Sequence, residues 1–149
     1  MILVLFIRSL LFSIYFYISV IVFTLFFVFL APFIELKKRY SLTSMYISTL
    51  LIVLKFLCRI DWEVTGDILG QRPVIIASNH QGLWESFYLQ TLVNPLTTII
   101  KKELIYIPFF GWALNLLDPI KINRSKKVQS AKKVITVSYT HLRAHETHE

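Results

Sequence analysis

The residues best suited to chemistry are a histidine and a glutamate five positions apart. His80 follows the apolar run 74–77, which predicts a buried strand, and Glu85 stands at the predicted start of a helix. This order can place the imidazole and the carboxylate side by side at a sheet edge. Glu85 would then hold the His80 tautomer whose free ring nitrogen accepts a proton, and would stabilise the imidazolium that forms. We therefore predict a general base and its orienting acid, with a substrate hydroxyl as the nucleophile.

Taken alone, the pair also fits a surface loop followed by an acid that caps a helix. A second block further along the chain changes this interpretation. It consists of residues 101–104 (Lys-Lys-Glu-Leu), 107–112 (Ile-Pro-Phe-Phe-Gly-Trp) and 118–124 (Asp-Pro-Ile-Lys-Ile-Asn-Arg). Asn79-His80 with an acid five residues after the histidine, followed by this block, resembles the first two motifs of the glycerolipid acyltransferases, the lysophosphatidic acid acyltransferase family. The resemblance covers residues 60–124.

The resemblance implies a reaction and a role for each residue. His80 would take the proton from the free hydroxyl of lysophosphatidic acid as that oxygen attacks the thioester of acyl-CoA or acyl-carrier protein, which gives phosphatidic acid without an acyl-enzyme. Arg124, with Lys101 or Lys102 as weaker candidates, would bind the substrate phosphate, for which a guanidinium group is well suited. The two lysines fit a solvated or headgroup-facing edge equally well. No cofactor is implied, because the acyl donor is itself a substrate.

Two features depart from the family pattern. Glu85 stands where aspartate is commoner, although one branch of the family has a Trp-Glu pair like Trp84-Glu85. A Glu-Gly-Thr-Arg-like third motif and a proline-containing fourth block do not occur in the chain. We therefore expect the sequence to hold the amino-terminal part of an enzyme and to be inactive by itself. Other acceptors, such as glycerol 3-phosphate or a lyso-aminolipid, stay open, as does a noncatalytic lipid-binding protein of the membrane surface.

The elements that must position these residues alternate between short β-rich runs and helical ones after Ile60. This alternation predicts an α/β fold, and the resemblance implies a mixed sheet with flanking helices. The predicted strands are residues 62–65, 74–77, 97–100 and 120–122, and the predicted helices are 85–92, 109–117 and one from about 125. Gly111 is expected to serve a turn or close packing, and Trp84 and Trp112 to lie in the core or at a membrane interface.

The amino-terminal third is strongly apolar. Residues 10–34 carry no charge, and a helix of that length can cross a hydrocarbon core of roughly 30 Å. Ala31-Pro32-Phe33 running into Lys37-Lys38-Arg39 fits an uncleaved anchor better than a cleaved signal peptide. By the positive-inside rule, these basic residues predict an inner-membrane protein whose catalytic part lies on the cytoplasmic side.

A second helix is predicted over residues 41–59, with a narrow polar stripe. Its members, which share a sector of roughly 60°, are Ser41, Ser44, Ser48, Lys55 and Arg59. Such a stripe suits a helix in the membrane interface, or one packed on the first helix with its stripe toward the headgroups; a second spanning helix is the alternative. The net charge of +7 suits anionic lipids or a phosphorylated substrate, and no nucleic-acid-binding motif accompanies it.

The final segment differs from the rest of the chain. Residues 137–147 resemble one reading frame of a transposase-type sequencing adapter, so the spacing of His141, His145 and His148 is not interpreted as a zinc site. Three segments are therefore predicted: membrane-anchoring helices over 1–59, the amino-terminal part of an acyltransferase domain over 60–136, and a foreign tail over 137–149.

Overall fold

The first third of the chain forms an antiparallel helical hairpin in a computed structural model that describes residues 2–66, 75–79, 82–123 and 136. Helix α1 (Ile2–Leu30) is followed by a 3-10 turn (Ala31–Phe33) and helix α2 (Leu36–Cys58). The Cys58 Sγ atom lies 3.9 Å from the carbonyl oxygen of Arg8, at the open end of the hairpin. Both helices are long and apolar enough to cross a membrane.

Helix α1 begins eight residues before the predicted apolar segment, and its 29 residues span roughly 43 Å at 1.5 Å per residue. A proline in the second position of the 3-10 turn ends it, because proline cannot continue an α-helix. The face of α1 turned toward α2 carries Phe23, whose ring stacks on Tyr46 at 4.0 Å between centroids. The Ser19 hydroxyl lies 3.1 Å from the Tyr46 hydroxyl.

Helix α2 presents three different faces. One face is buried, at Tyr40, Thr43, Ile47, Leu50 and Leu51. A second face is exposed and apolar, at Met45, Ile52 and Phe56. The third is the predicted polar stripe, and its two ends contact the chain beyond the hairpin. Asn94 Nδ2 donates to Ser41 Oγ at 3.1 Å, and Lys55 Nζ lies 2.5 Å from Asp61 Oδ1. These contacts turn part of the stripe toward the following domain, which the sequence did not predict.

The domain after the hairpin is mostly helical with a small parallel sheet. Helix α3 (Leu83–Leu92) packs on α2, and strand β1 (Ile99–Lys101) leads through a 3-10 helix (Lys102–Tyr106) and helix α4 (Phe110–Asn115) to strand β2 (Ile120–Ile122). The two strands pair in parallel, with Ile99 opposite Ile120 and Lys101 opposite Ile122. The second predicted helix is therefore shorter than expected, and a 3-10 helix precedes it that the sequence analysis missed.

Two of the predicted strands are not formed by the residues that the structure describes. Residues 61–65 and 75–79 adopt no regular secondary structure. A strand needs a neighbour that completes its hydrogen bonds, and in the described part of the chain only β1 and β2 pair. Trp62 packs on aromatic rings of α3 instead. Residue 74 and, apart from Thr136, the helix predicted from residue 125 lie outside the described residues. The sheet that is described is parallel rather than mixed.

A compact core joins the hairpin to the domain. Phe27 of α1, Tyr40 of α2 and Leu117 after α4 are buried together. The Tyr40 hydroxyl donates to the carbonyl oxygen of Leu117 at 2.8 Å and lies 3.0 Å from Thr97 Oγ1. Beside it, Arg39 Nη1 donates to the carbonyl oxygen of Leu116 at 3.2 Å. This second bond satisfies a carbonyl at the carboxyl end of α4, where a cation is favoured.

Candidate functional site

Glu85 lies in the first turn of α3, where its carboxylate closes the start of the helix. The backbone N–H of Gly82 donates to Glu85 Oε2 at 3.0 Å. Gly82 is in extended conformation at the N-cap position, and the side chain of Glu85 is half-buried. A carboxylate in the first turn satisfies an amide that the helix leaves unpaired and interacts favourably with the helix dipole. The contact holds one oxygen of Glu85 in place, and a carboxylate has two.

His80 and Gln81 lie outside the described residues, so the pairing of His80 with Glu85 stays a prediction. Ser78 and Asn79, which precede them, are exposed. The capping contact shows that the simpler interpretation of Glu85, as a helix-capping acid, is correct for one of its oxygens. The two interpretations are compatible, because capping uses a single lone pair of a group that can accept several hydrogen bonds.

Three aromatic rings support the start of α3. Trp84 and Tyr88 stack at 4.9 Å between centroids, and Trp62 meets both rings edge-on at 5.6 and 5.9 Å. Lys55 Nζ of α2 lies 5.9 Å from the centroid of the Trp62 ring, a cation–π distance. Trp84 therefore belongs to a packed cluster, which fits the core role expected for it. The cluster links the Glu85 end of α3 to the carboxyl end of α2.

Lys101 and Lys102 lie at the carboxyl end of β1, and both are exposed. Lys101 Nζ is 4.0 Å from Glu103 Oε2, a surface ion pair of little strength. In open α/β sheets, ligands bind beyond the carboxyl ends of parallel strands. Arg124 lies outside the described residues, two positions after Ile122, the strand partner of Lys101. The two lysines therefore lie at the carboxyl edge of the strands, and the part of Arg124 in phosphate binding stays a prediction.

The second motif block owes its shape to Gly111. A β-carbon on this buried residue would lie 2.4 Å from the Leu104 carbonyl oxygen and 2.5 Å from that of Ile105. Only glycine lets α4 approach the preceding 3-10 helix so closely. Just before it, Phe109 has a φ of 63°, and Phe110 N–H donates to the Pro108 carbonyl oxygen at 2.7 Å, as in a γ-turn. The expectation of close packing at Gly111 is confirmed.

No group of three His, Cys, Asp or Glu side chains suited to a metal ion occurs within the ranges that the structure describes. A sequence model of the family described as Acyltransferase matches residues 61–147, more than half of the chain.

The chain belongs to the Acyltransferase family.

The family predicted from Asn79-His80, Glu85 and the second block is therefore confirmed. The match also includes Lys101, Lys102 and Arg124, and it extends over most of the segment 137–149, whose foreign origin stays a prediction.

Two curated acyltransferases resemble the chain. It is 38% identical over 108 residues to the 1-acyl-sn-glycerol-3-phosphate acyltransferase of Pseudomonas aeruginosa. This alignment covers 71% of this chain and 42% of that protein. The chain is 34% identical over 80 residues to the 1-acyl-sn-glycerol-3-phosphate acyltransferase of Saccharomyces cerevisiae, which covers 52% of this chain and 26% of that protein. The chain thus spans less than half the length of either relative. No solved structure matches it significantly.

Proposed function

We propose that the protein acylates the free hydroxyl of lysophosphatidic acid, with acyl-CoA or acyl-carrier protein as donor, to give phosphatidic acid for phospholipid synthesis. The observation that carries this proposal is membership of the Acyltransferase family together with relatives named 1-acyl-sn-glycerol-3-phosphate acyltransferase. The motif residues fit the reaction, because ester formation from a thioester needs a base for the attacking hydroxyl and charge for the substrate phosphate.

In the proposed reaction, His80 accepts the hydroxyl proton as the glycerol oxygen attacks the thioester carbonyl. The tetrahedral intermediate collapses when the carbon–sulfur bond breaks, and the thiolate takes the proton back from the imidazolium. Glu85 orients the ring and stabilises its charge. The Gly82 amide supports this role, since it restrains one carboxylate oxygen at 3.0 Å and so limits the freedom of the side chain.

The phosphate of the acceptor would bind near the carboxyl ends of β1 and β2. Lys101 and Lys102 are exposed there, and Arg124 follows β2 in the sequence. A guanidinium group can bind two phosphate oxygens at once, whereas lysine contributes a point charge. Arg124 is therefore the main proposed phosphate ligand, and the lysines add positive potential.

We also propose that the hairpin holds the protein in the inner membrane with the site on the cytoplasmic side. Helix α1 is long and apolar enough to span the bilayer, and the polar stripe of α2 suits a helix that lies along the interface. In that arrangement the cluster Lys37-Lys38-Arg39 and the domain after α2 share one side of the membrane, which the positive-inside rule makes the cytoplasmic side. The substrate and product are themselves bilayer lipids, so a membrane-bound catalyst would meet them without extracting them far into water.

The test is an acyl-transfer assay with the full-length gene product in detergent. Labelled acyl-CoA and acyl-carrier protein are offered separately with lysophosphatidic acid, glycerol 3-phosphate or a lyso-aminolipid, and the products are separated. Phosphatidic acid formed from lysophosphatidic acid well above the other products supports the proposal. Faster acylation of another acceptor would reassign the substrate, and binding of anionic lipid without any transfer would indicate a noncatalytic protein.

A further inference from the structure

The segment between β1 and β2 carries an exposed apolar surface that the proposed reaction does not use. We propose that this surface, formed by Tyr106, Ile107 and Trp112 and here called the interfacial corner, contacts the headgroup region of an anionic bilayer. The proposal rests on the membrane attachment proposed above and adds a second contact, made by the acyltransferase domain itself.

The corner is largely exposed within the part of the chain that the structure describes. Tyr106 is 69% exposed, Ile107 44% and Trp112 48%. Large side chains exposed singly are common on soluble proteins, but contiguous apolar surface marks a contact with a partner or a membrane. Tyrosine and tryptophan are the residues that favour the membrane interface, because their rings combine an apolar body with a polar edge.

The corner continues the apolar surface of the anchor. A groove of about 280 Å³ joins the two, and its lining comes from both parts: Val28, Ile105, Tyr106, Trp112, Asn115 and Leu116. Beyond Val28, the carboxyl end of α1 and its 3-10 turn expose Phe29 and Phe33, each at 78%. A groove lined by both the most apolar helix of the chain and the domain fits one lipid phase better than a separate protein partner.

The corner is also held in place. Arg39 and Tyr40 of α2 bind the carbonyl oxygens of Leu116 and Leu117, directly after α4. Gly111 lets α4 pack tightly on the 3-10 helix that carries Tyr106. These contacts fix the position of the corner beside the carboxyl end of α1.

The charge that follows the 3-10 turn of the anchor favours an anionic lipid. Lys37 and Lys38 are exposed in the first turn of α2, four and five residues after Phe33, and the exposed Glu35 precedes them. Aromatic side chains at the level of the headgroups, with lysines beside them, are complementary to a negatively charged leaflet. Contact at this point would set the distance between the domain and the bilayer. A lysophospholipid must enter the domain from that bilayer.

The experiment measures how close each tryptophan lies to lipid. The full-length protein is placed in nanodiscs of phosphatidylcholine and phosphatidylglycerol, with or without bromine on the acyl chains near the headgroup. The quenchable emission of Trp112→Phe, and of Trp84→Phe as the control, is subtracted from that of the unmodified protein, so that each difference reports one tryptophan. Brominated lipid should lower Trp112 emission by about twofold or more and leave Trp84 nearly unchanged.

Two results would overturn the proposal: Trp112 emission that brominated lipid leaves unchanged in protein that is still bound to the nanodisc, or equal quenching of Trp84. If Trp112→Phe does not fold, Trp112→Tyr replaces it, and it should lose quenchable emission that Trp84→Phe retains. Acyl transfer measured on the same samples separates the two proposals, since quenching reports the lipid contact whether or not the protein proves to be an acyltransferase.

Discussion

Glu85 is a helix-capping acid as well as the predicted partner of His80, and the length of its side chain bears on both roles. From the third position of α3 it reaches back to the Gly82 amide at 3.0 Å. Aspartate, one methylene shorter, reaches less far back at this position. The two roles differ in what they need, because capping requires an acceptor oxygen whereas orienting an imidazolium requires a negative charge.

Substitution of Glu85 can therefore separate the two roles. Glu85→Gln keeps an acceptor for Gly82 but loses the charge, so we expect acyl transfer to fall by about tenfold or more with nearly unchanged thermal stability. Glu85→Asp keeps the charge but weakens the cap, so it should retain part of the activity. Full activity in a folded Glu85→Gln protein would mean that Glu85 caps the helix and does not orient His80.

His80→Ala tests the proposed base directly. Loss of a general base typically lowers the rate by roughly 100-fold or more, and we expect the alanine variant to fold. The measurement is the initial rate of phosphatidic acid formation, with circular dichroism and melting temperature as controls for folding. A folded variant that turns over at the normal rate would remove His80 from the mechanism.

At the scale of secondary-structure elements, α4 packs closely on the 3-10 helix because Gly111 has no side chain. We expect Gly111→Ala to destabilise the protein by about 1–3 kcal/mol, because the β-carbon would overlap two backbone carbonyl groups that cannot move independently. Gly82→Ala is the matched control, since among the described residues its β-carbon would meet only Glu85 Oε2, at an ordinary 3.4 Å. Equal melting temperatures for the two variants in detergent would contradict this account.

The joint between the hairpin and the domain depends on a different contact. Tyr40→Phe removes the hydroxyl that binds the buried carbonyl oxygen of Leu117, and an unpaired buried acceptor costs about 1–3 kcal/mol. Tyr46→Phe removes a hydroxyl that contacts only Ser19 inside the hairpin, and it serves as the control. Amide exchange should rise around residues 113–117 in the first variant and not in the second. Unchanged exchange there would mean that the apolar core alone holds the joint.

For the whole molecule, we expect the exposed apolar faces of α1 and α2 to set how the protein attaches to membranes. Helices of this length with a continuous apolar surface leave the bilayer only with detergent, so neither high salt nor alkali should release the protein from membranes. Immunoblots of pellet and supernatant after each wash give the measurement. Release by salt alone would mean that screened charges, not apolar burial, hold the protein.

Much of the architecture follows from local patterns in the sequence. The two long apolar helices, α3 to within two residues, and β2 at its predicted bounds each depend on composition and periodicity over a short window. The family was predicted in the same way, from two short motifs in the right order, and the family comparison confirmed it. Such features need no knowledge of which distant residues meet.

What only the tertiary structure decided are the contacts between distant parts of the chain. Arg39 and Tyr40 meet residues that lie 77 positions later, and no periodicity in the sequence encodes that pairing. Residues 62–65 and 75–77 were predicted as strands, but no described strand pairs with them, and they form no regular structure. Trp62 packs on α3 instead. A helix satisfies its hydrogen bonds within its own segment, whereas strands, joints and close glycine contacts form only when another segment supplies the other half.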